Sequence, residues 1–273
     1  MYEGSIASVT PTVCSLFRIG RPKLCAESIP TAVQAYTDNI LRDSSIERCL
    51  IYCPDALGNQ IWSRCPEHVA TITAEAPQRV HLPSVLPPKT PVCFASMFTG
   101  AQPHQHGIRR YERPVLACDT LFDAVIRSSR RVAIVAVQNC SIDLIFRNRA
   151  IDYYSEAYDQ EVTTRALATL SSNIHDLVVV YHQEYDDLLH QTHPYSDNCL
   201  AAAERHVASF RVLSQAARDA WQSRYRYAII FAPDHGCHTN PETGKGDHSL
   251  DITEDMSVSH WYGVFSTAPQ QIS

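Results

Sequence analysis

Asp176-Leu-Val-Val-Val-Tyr181 is an aliphatic run closed by a tyrosine, with no polar side chain at alternate positions. A strand with one wet face alternates polar and apolar residues. This one does not, so it reads as a central strand covered on both faces, as in a parallel sheet. Cys49-Leu-Ile-Tyr-Cys53, Arg131-Val-Ala-Ile-Val-Ala-Val137 and Tyr227-Ala-Ile-Ile-Phe231 have the same character. Between the runs, Thr120 to Ser129, Glu156 to Ser171 and Ser196 to Tyr225 carry helical spacing, clearest in the stripe Leu200, Ala203, Val207, Phe210, Leu213, Ala217, Trp221. Strands alternating with helices predict an α/β fold, a mostly parallel central sheet with helices on both faces. The proline-bearing stretch Pro77 to Pro91 and the polar stretch Gly236 to Asp251 are expected to be long loops.

The 273 residues suit a single domain, 1–273, with residues 1–48 as a helical segment packed on it. With 45% hydrophobic and 19% charged residues the chain is neither disordered nor a coiled coil. The balance of 23 Lys+Arg against 29 Asp+Glu leaves a formal charge of -6, which argues against a nucleic-acid polymer as ligand. No apolar run reaches the eighteen or so residues of a membrane helix, and Met1-Tyr-Glu-Gly-Ser5 lacks the character of a signal peptide. The 10 cysteines contain no Cys-x-x-Cys pair and read as reduced small hydrophobes. A cytoplasmic protein is expected, of unspecified oligomeric state.

In open α/β sheets ligands gather beyond the carboxyl ends of the strands. There the chain presents Asp55 after the first run, Asp186 and His190 after the third, and Asp234-His235 after the fourth. Asp186 and His190 are four apart, so one helical turn places both on the same side, as a shared cation requires. Asp234 and His235 can serve one ion if the backbone turns at Gly236. His248 adds an imidazole from the following loop. Each alone has a plain structural alternative as a cap, turn or surface residue; jointly they exceed what capping needs. Thr90 is expected to cap a helix over Val92-Cys-Phe-Ala-Ser-Met-Phe98, with Pro91 first in it and the Val92 and Cys93 N–H groups free for an anion.

In order, Pro54-Asp55, Thr90, Thr99-Gly100-Ala-Gln-Pro103-His-Gln-His106-Gly107-Ile108, Asp186-x-x-x-His190-x-x-His193-Pro194, Asp234-His235-Gly236 and His248 resemble the alkaline phosphatase superfamily, closest to its type I phosphodiesterase and nucleotide pyrophosphatase branch. The similarity runs from Cys49 to Phe265. It implies two divalent ions, usually zinc, with manganese also compatible: Asp186, His190 and His248 would hold one, and Asp55, Asp234, His235 and Thr90 the other. Thr90 would be the nucleophile, forming a covalent threonine intermediate with a small phosphorylated substrate such as a nucleotide.

The chain departs from that branch at Cys93, where an Asn is usual, and at His193, where a Gly is usual and an outward-facing side chain is expected. It has no obvious inserted cap, and Val9-Thr-Pro-Thr-Val-Cys-Ser-Leu-Phe17 resembles a helix that many relatives carry near their C-terminus. His104 and His106 are assigned structural or surface roles and Lys89 a solvated one; Cys53, Cys93 and Cys237 are not counted as ligands. A phosphomonoesterase or phosphonate hydrolase, or a non-catalytic metal-binding descendant, stands as the alternative. A mutase would need further basic residues and a second domain, for which no segment is found.

Overall fold

The structure, a computed structural model, describes residues 4–267; residues 1–3 and 268–273, the two ends of the span read as one domain, lie outside the described residues. A 3-10 turn, Ile6–Ser8, precedes helices α1 (Val9–Phe17) and α2 (Thr31–Leu41). Strand β1 (Arg48–Pro54) follows, then α3 (Asn59–Trp62), α4 (Pro66–Glu75), β2 (Gln78–Pro83), α5 (Thr90–Thr99) and α6 (Pro103–His106). Next come α7 (Leu121–Arg127), β3 (Val132–Val137), α8 (Ser141–Ile145), β4 (Asp152–Glu156), α9 (Asp159–Ser172) and β5 (Leu177–His182). The chain continues through α10 (Glu184–Gln191), α11 (Asp197–Trp221), β6 (Tyr227–Phe231), β7 (His238–Thr239), β8 (Gly246–Asp247), α12 (Thr253–Met256) and β9 (Ser257–Phe265).

Seven strands form one sheet in the order β2-β9-β6-β1-β5-β3-β4, and β7 and β8 make a separate two-stranded ladder. The four apolar runs of the sequence are the adjacent central strands β6, β1, β5 and β3, all parallel and fully buried along β3, β5 and β6. Helices cover both faces: Tyr52 of β1 packs against Phe210 of α11, while Tyr181 of β5 packs edge-on to Phe94 of α5. The α11 stripe is buried apart from the partly buried Leu200, and each large side chain so covered contributes about 1.5–3 kcal/mol.

Some expectations change. The stretch Pro77 to Pro91 contains the edge strand β2, antiparallel to β9, and β9 is itself antiparallel to β6. Glu156 ends strand β4, so the following helix starts at Asp159. The stretch Gly236 to Asp251 contains the β7–β8 ladder.

Candidate metal centre

Parallel pairing on both sides of β1 sets the site. The β1–β5 ladder continues into Asp55, whose N–H donates to the His182 carbonyl at 2.9 Å, and Ala232 beyond β6 donates to the Tyr52 carbonyl at 2.9 Å. Asp55, the start of α10 and the Asp234-His235 pair therefore leave three neighbouring strands at the same edge of the sheet. Gly58 and Gly236 let the loops meet: a Cβ on Gly58 would stand 2.5 Å from Gly236 Cα, and one on Gly236 only 2.0 Å from the Glu254 carbonyl oxygen. Gly236 is thus required for the close approach of these backbones, which a side chain would block. Gly246 is pressed in the same way onto the Leu189 carbonyl of α10, which carries His248 to the side of His190.

All seven residues singled out in the sequence come together, in two groups. The ligand atoms of Asp186, His190 and His248 lie within 4.8 Å of one another, and so do those of Asp55, Asp234 and His235. Asp186 Oδ1 stands 3.5 Å from both His190 Nε2 and His248 Nε2. His235 Nε2 stands 3.4 Å from Asp55 Oδ1 and 3.3 Å from Asp234 Oδ2. Thr90 Oγ1 joins the second group, donating to Asp55 Oδ2 at 3.3 Å with His235 Nε2 at 3.5 Å. The stacked rings of His235 and His248, 4.1 Å between centroids, join the two groups.

Hydrogen bonds around the groups show that the residues present suit cations. Each imidazole donates through Nδ1 to a backbone carbonyl: His190 to Gly246 at 3.1 Å, His235 to Gly236 at 3.0 Å, His248 to Pro88 at 2.7 Å. That fixes the tautomer and turns the bare Nε2 inward, the usual outer-shell arrangement of metal-binding histidine. Asp55 Oδ1, Asp186 Oδ1 and Asp234 Oδ2 are buried without a hydrogen-bond partner, and they are the same oxygens that face these nitrogens. A buried carboxylate oxygen left unpaired is costly unless a cation meets it. The second oxygens of Asp234 and Asp55 are held: Ala56 N–H donates to Asp234 Oδ1 at 3.2 Å, and the Tyr181 hydroxyl donates to Asp55 Oδ2.

Electrostatics agree. Burial raises the Asp55 carboxyl well above its ordinary value, with the charges of Asp234 and Asp186 adding to it. Burial likewise raises Asp186 and lifts Asp234 to about 8, while burial and the neighbouring His248 push His235 far down. A carboxyl whose folded pKa is raised stabilises the fold below its unfolded pKa of 3.8, and that stability is lost as pH climbs toward the folded value. His235 acts in the other direction, but only below its ordinary 6.5. Between pH 6.5 and 8 the carboxyls decide the slope, so the Tm of chelator-treated protein should fall as pH rises. Saturating zinc, which selects the ionised carboxylates, should remove that fall. A flat or rising Tm in chelator over this interval contradicts the assignment.

Thr90 is the first residue of α5 and not its cap; Lys89 occupies the cap position without a side-chain bond, and Pro91 is second in the helix. The Val92 and Cys93 N–H groups both donate to the Lys89 carbonyl at 2.9 Å, so neither is free for an anion as the sequence suggested. Cys93 contacts Ser84 Oγ at 3.3 Å, and burial holds its thiol neutral. His193 and His104 are exposed, whereas His106 is buried against Ser96 Oγ at 2.9 Å, a structural role.

Sequence reasoning missed Tyr181, Ser84 and Asp255. Ser84 donates to the Asp234 carbonyl at 2.7 Å, and Asp255 accepts from the Ser249 and Leu250 N–H groups and so holds the His248 loop. Tyr181 closes one of the apolar runs, and its place next to a strand end was the one available signal.

No protein-family model and no curated protein sequence matches the chain. Solved structures do. Murine ectonucleotide pyrophosphatase/phosphodiesterase 5, in an inactive Thr-to-Ala form in complex with AMP, is similar at a TM-score of 0.58 and 15% identity, over 72% of this chain and 59% of that one. The human form matches at 0.55 and 16%, over 71% and 58%. Phosphonoacetate hydrolase from Sinorhizobium meliloti 1021, in complex with phosphonoacetate, matches at 0.52 and 15%, over 70% and 56%. The chain thus spans less than three-fifths of the length of these structures. No helix among the described residues is long and apolar enough to cross a membrane. With its mostly parallel seven-stranded sheet, the chain has the fold of these alkaline phosphatase superfamily members.

Proposed function

We propose that this chain is a metal-dependent phosphohydrolase that cleaves a phosphodiester or phosphoanhydride bond of a small substrate, such as a nucleotide, through a covalent intermediate on Thr90. The carrying observation is that Asp55 and His235, grouped with Asp234, meet the Thr90 hydroxyl, with the Asp186, His190 and His248 group against them. The fold shared with a nucleotide pyrophosphatase/phosphodiesterase and a phosphonate hydrolase supports the same class. The reading takes residues 1–273 as one catalytic domain carrying residues 1–48 as a packed helical segment. It takes the protein to be cytoplasmic, which its free cysteines fit.

Two divalent ions, zinc before manganese, would supply positive charge that lowers the pKa of the Thr90 hydroxyl and offsets charge on the phosphoryl oxygens. Asp55 holds the hydroxyl in line, since its Oδ2 accepts from both Thr90 and Tyr181. Thr90 Oγ1, its proton given up to solvent, then forms a bond to phosphorus as the bond to the leaving oxygen breaks and that oxygen takes a proton from solvent. Water next adds its oxygen to phosphorus from the opposite face, the Oγ1–P bond breaks, and Oγ1 regains a proton.

A second reading, a phosphomonoesterase or phosphonate hydrolase, is favoured by one observation: Cys93 stands where diesterases of the branch carry an amide, and its thiol is engaged with Ser84. Turnover of bis-p-nitrophenyl phosphate, p-nitrophenyl phosphate and phosphonoacetate by zinc- or manganese-loaded protein separates the two. The diester is expected to be hydrolysed fastest. Protein that binds metal yet cleaves none of the three would leave only a non-catalytic descendant.

A further inference from the structure

Away from the candidate centre, Asp159, His182 and His206 form another buried group of metal-ligand composition, with donor atoms within 4.8 Å of one another. Hydrogen-bond directions decide its role. Tyr185 N–H donates to His206 Nε2 at 3.2 Å, so Nε2 is bare and the ring proton sits on Nδ1. Nδ1–H then donates to Tyr52 Oη at 3.1 Å, and the Tyr52 hydroxyl donates to His182 Nδ1 at 2.9 Å. His182 Nε2–H donates to Thr163 Oγ1 at 3.2 Å, whose hydroxyl donates to the Asp159 carbonyl at 3.0 Å. Every member is satisfied, and burial keeps both imidazoles neutral, each pushed down to about 3. A cation on His206 Nδ1 would force the ring proton onto Nε2, donor against donor with Tyr185 N–H. The group is therefore not a third ion site.

What it grips is the start of α10. Asp159 Oδ1 accepts from Gln183 N–H and Oδ2 from Glu184 N–H, both at 3.0 Å, and His206 takes the next amide, Tyr185. These three consecutive amides immediately precede Asp186. Arg205, beside His206 on α11, adds a two-pronged pair to Glu184 with both bonds at 2.8 Å. α10 is only eight residues long and carries both Asp186 and His190, so its starting point and rotation set where their donors lie.

We propose that Asp159, His206, Tyr52 and His182 form a positioning network that pins the start of α10 to α9 and α11, with Tyr52 of β1 and His182 of β5 behind it, and thereby sets the Asp186–His190–His248 ion position. The proposal rests on the metal-centre reading above. Its physical basis is that orphaning a buried amide costs more than the bond itself contributes, so His206 without an acceptor must let the start of α10 move.

Zinc affinity measured by chelator competition on folded protein tests it. Wild type is expected to bind two ions. His206→Leu should weaken one of the two by about ten- to a hundredfold, the usual cost of an outer-shell change, and leave the other unaltered. His206→Gln, whose Oε1 can accept the Tyr185 N–H, should recover most of the lost affinity. Tyr52→Phe removes one oxygen at constant shape and should weaken the same ion to a smaller extent; it carries the test if His206→Leu does not fold. Variants with a lowered Tm but wild-type affinity for both ions would show that the network is merely structural and overturn the proposal. Wild type that binds no zinc would instead overturn the metal-centre reading on which it rests.

Discussion

Thr90→Ala is expected to abolish turnover while the protein keeps both ions and its fold. The hydroxyl is buried at the head of α5, 3.3 Å from Asp55 Oδ2 and 3.5 Å from His235 Nε2. The neighbouring hydroxyls are committed: Ser84 to the Asp234 carbonyl and Tyr181 to Asp55. With these two hydroxyls engaged elsewhere, kcat should fall on the order of 10⁴-fold or more, as when a covalent nucleophile is removed. Thr90 makes no side-chain cap bond, and alanine is a good helix former, so the Tm should move little. The carboxylates and imidazoles proposed to hold the ions are untouched, so zinc per chain should remain near two. Thr90→Ser, which keeps the oxygen, should keep measurable activity. Unchanged turnover in the alanine variant removes Thr90 from the chemistry.

Asp186→Ala should halve the zinc content and remove most of the turnover. Asp186 Oδ1 is buried and unpaired and faces His190 Nε2 and His248 Nε2 at 3.5 Å each. Without it two imidazoles remain with no negative charge to offset the cost of placing a divalent ion among buried groups. The stability effects should have opposite signs in the two forms. Burial raises the Asp186 carboxyl, so ionising it near neutral pH destabilises metal-free protein, and its removal should raise the Tm in chelator. In zinc the same variant should lose part of the gain in Tm that wild type draws from ligand binding. His248→Ala should produce the same loss of one ion. Zinc content that stays at two in both variants contradicts the grouping of these residues.

The central strands were legible because an unbroken apolar run has one physical solution, burial on both faces. β9 was not, although it is buried from Val258 to Val264. Its Ser259 and His260 look wrong for a core strand until their partners are known: Ser259 donates to Asn59 Oδ1 at 2.6 Å, and His260 pairs with the Pro233 carbonyl at 2.8 Å. β4 hides for the opposite reason, since an edge strand such as Asp152–Glu156 is half-wet and carries polar residues. At the centre, Asp and His at the strand ends were readable because metal ligation depends on side-chain type. Tyr52, Asp159 and His206 were not, because their role lies in which hydrogen bond each one gives or receives.

Composition and pattern alone pointed to an α/β sheet, its four inner strands and the Asp and His side chains at the strand ends, since apolarity and ligand chemistry belong to the residue itself, while Thr90 joined them as a candidate ligand only through the family resemblance. Which donors lie together, which oxygen of each carboxylate is left bare and which imidazole nitrogen points inward came only with the folded chain. Those properties depend on β1 lying between β5 and β6, on Gly58, Gly236 and Gly246 allowing backbones to touch, and on carbonyls remote in sequence from the rings they orient.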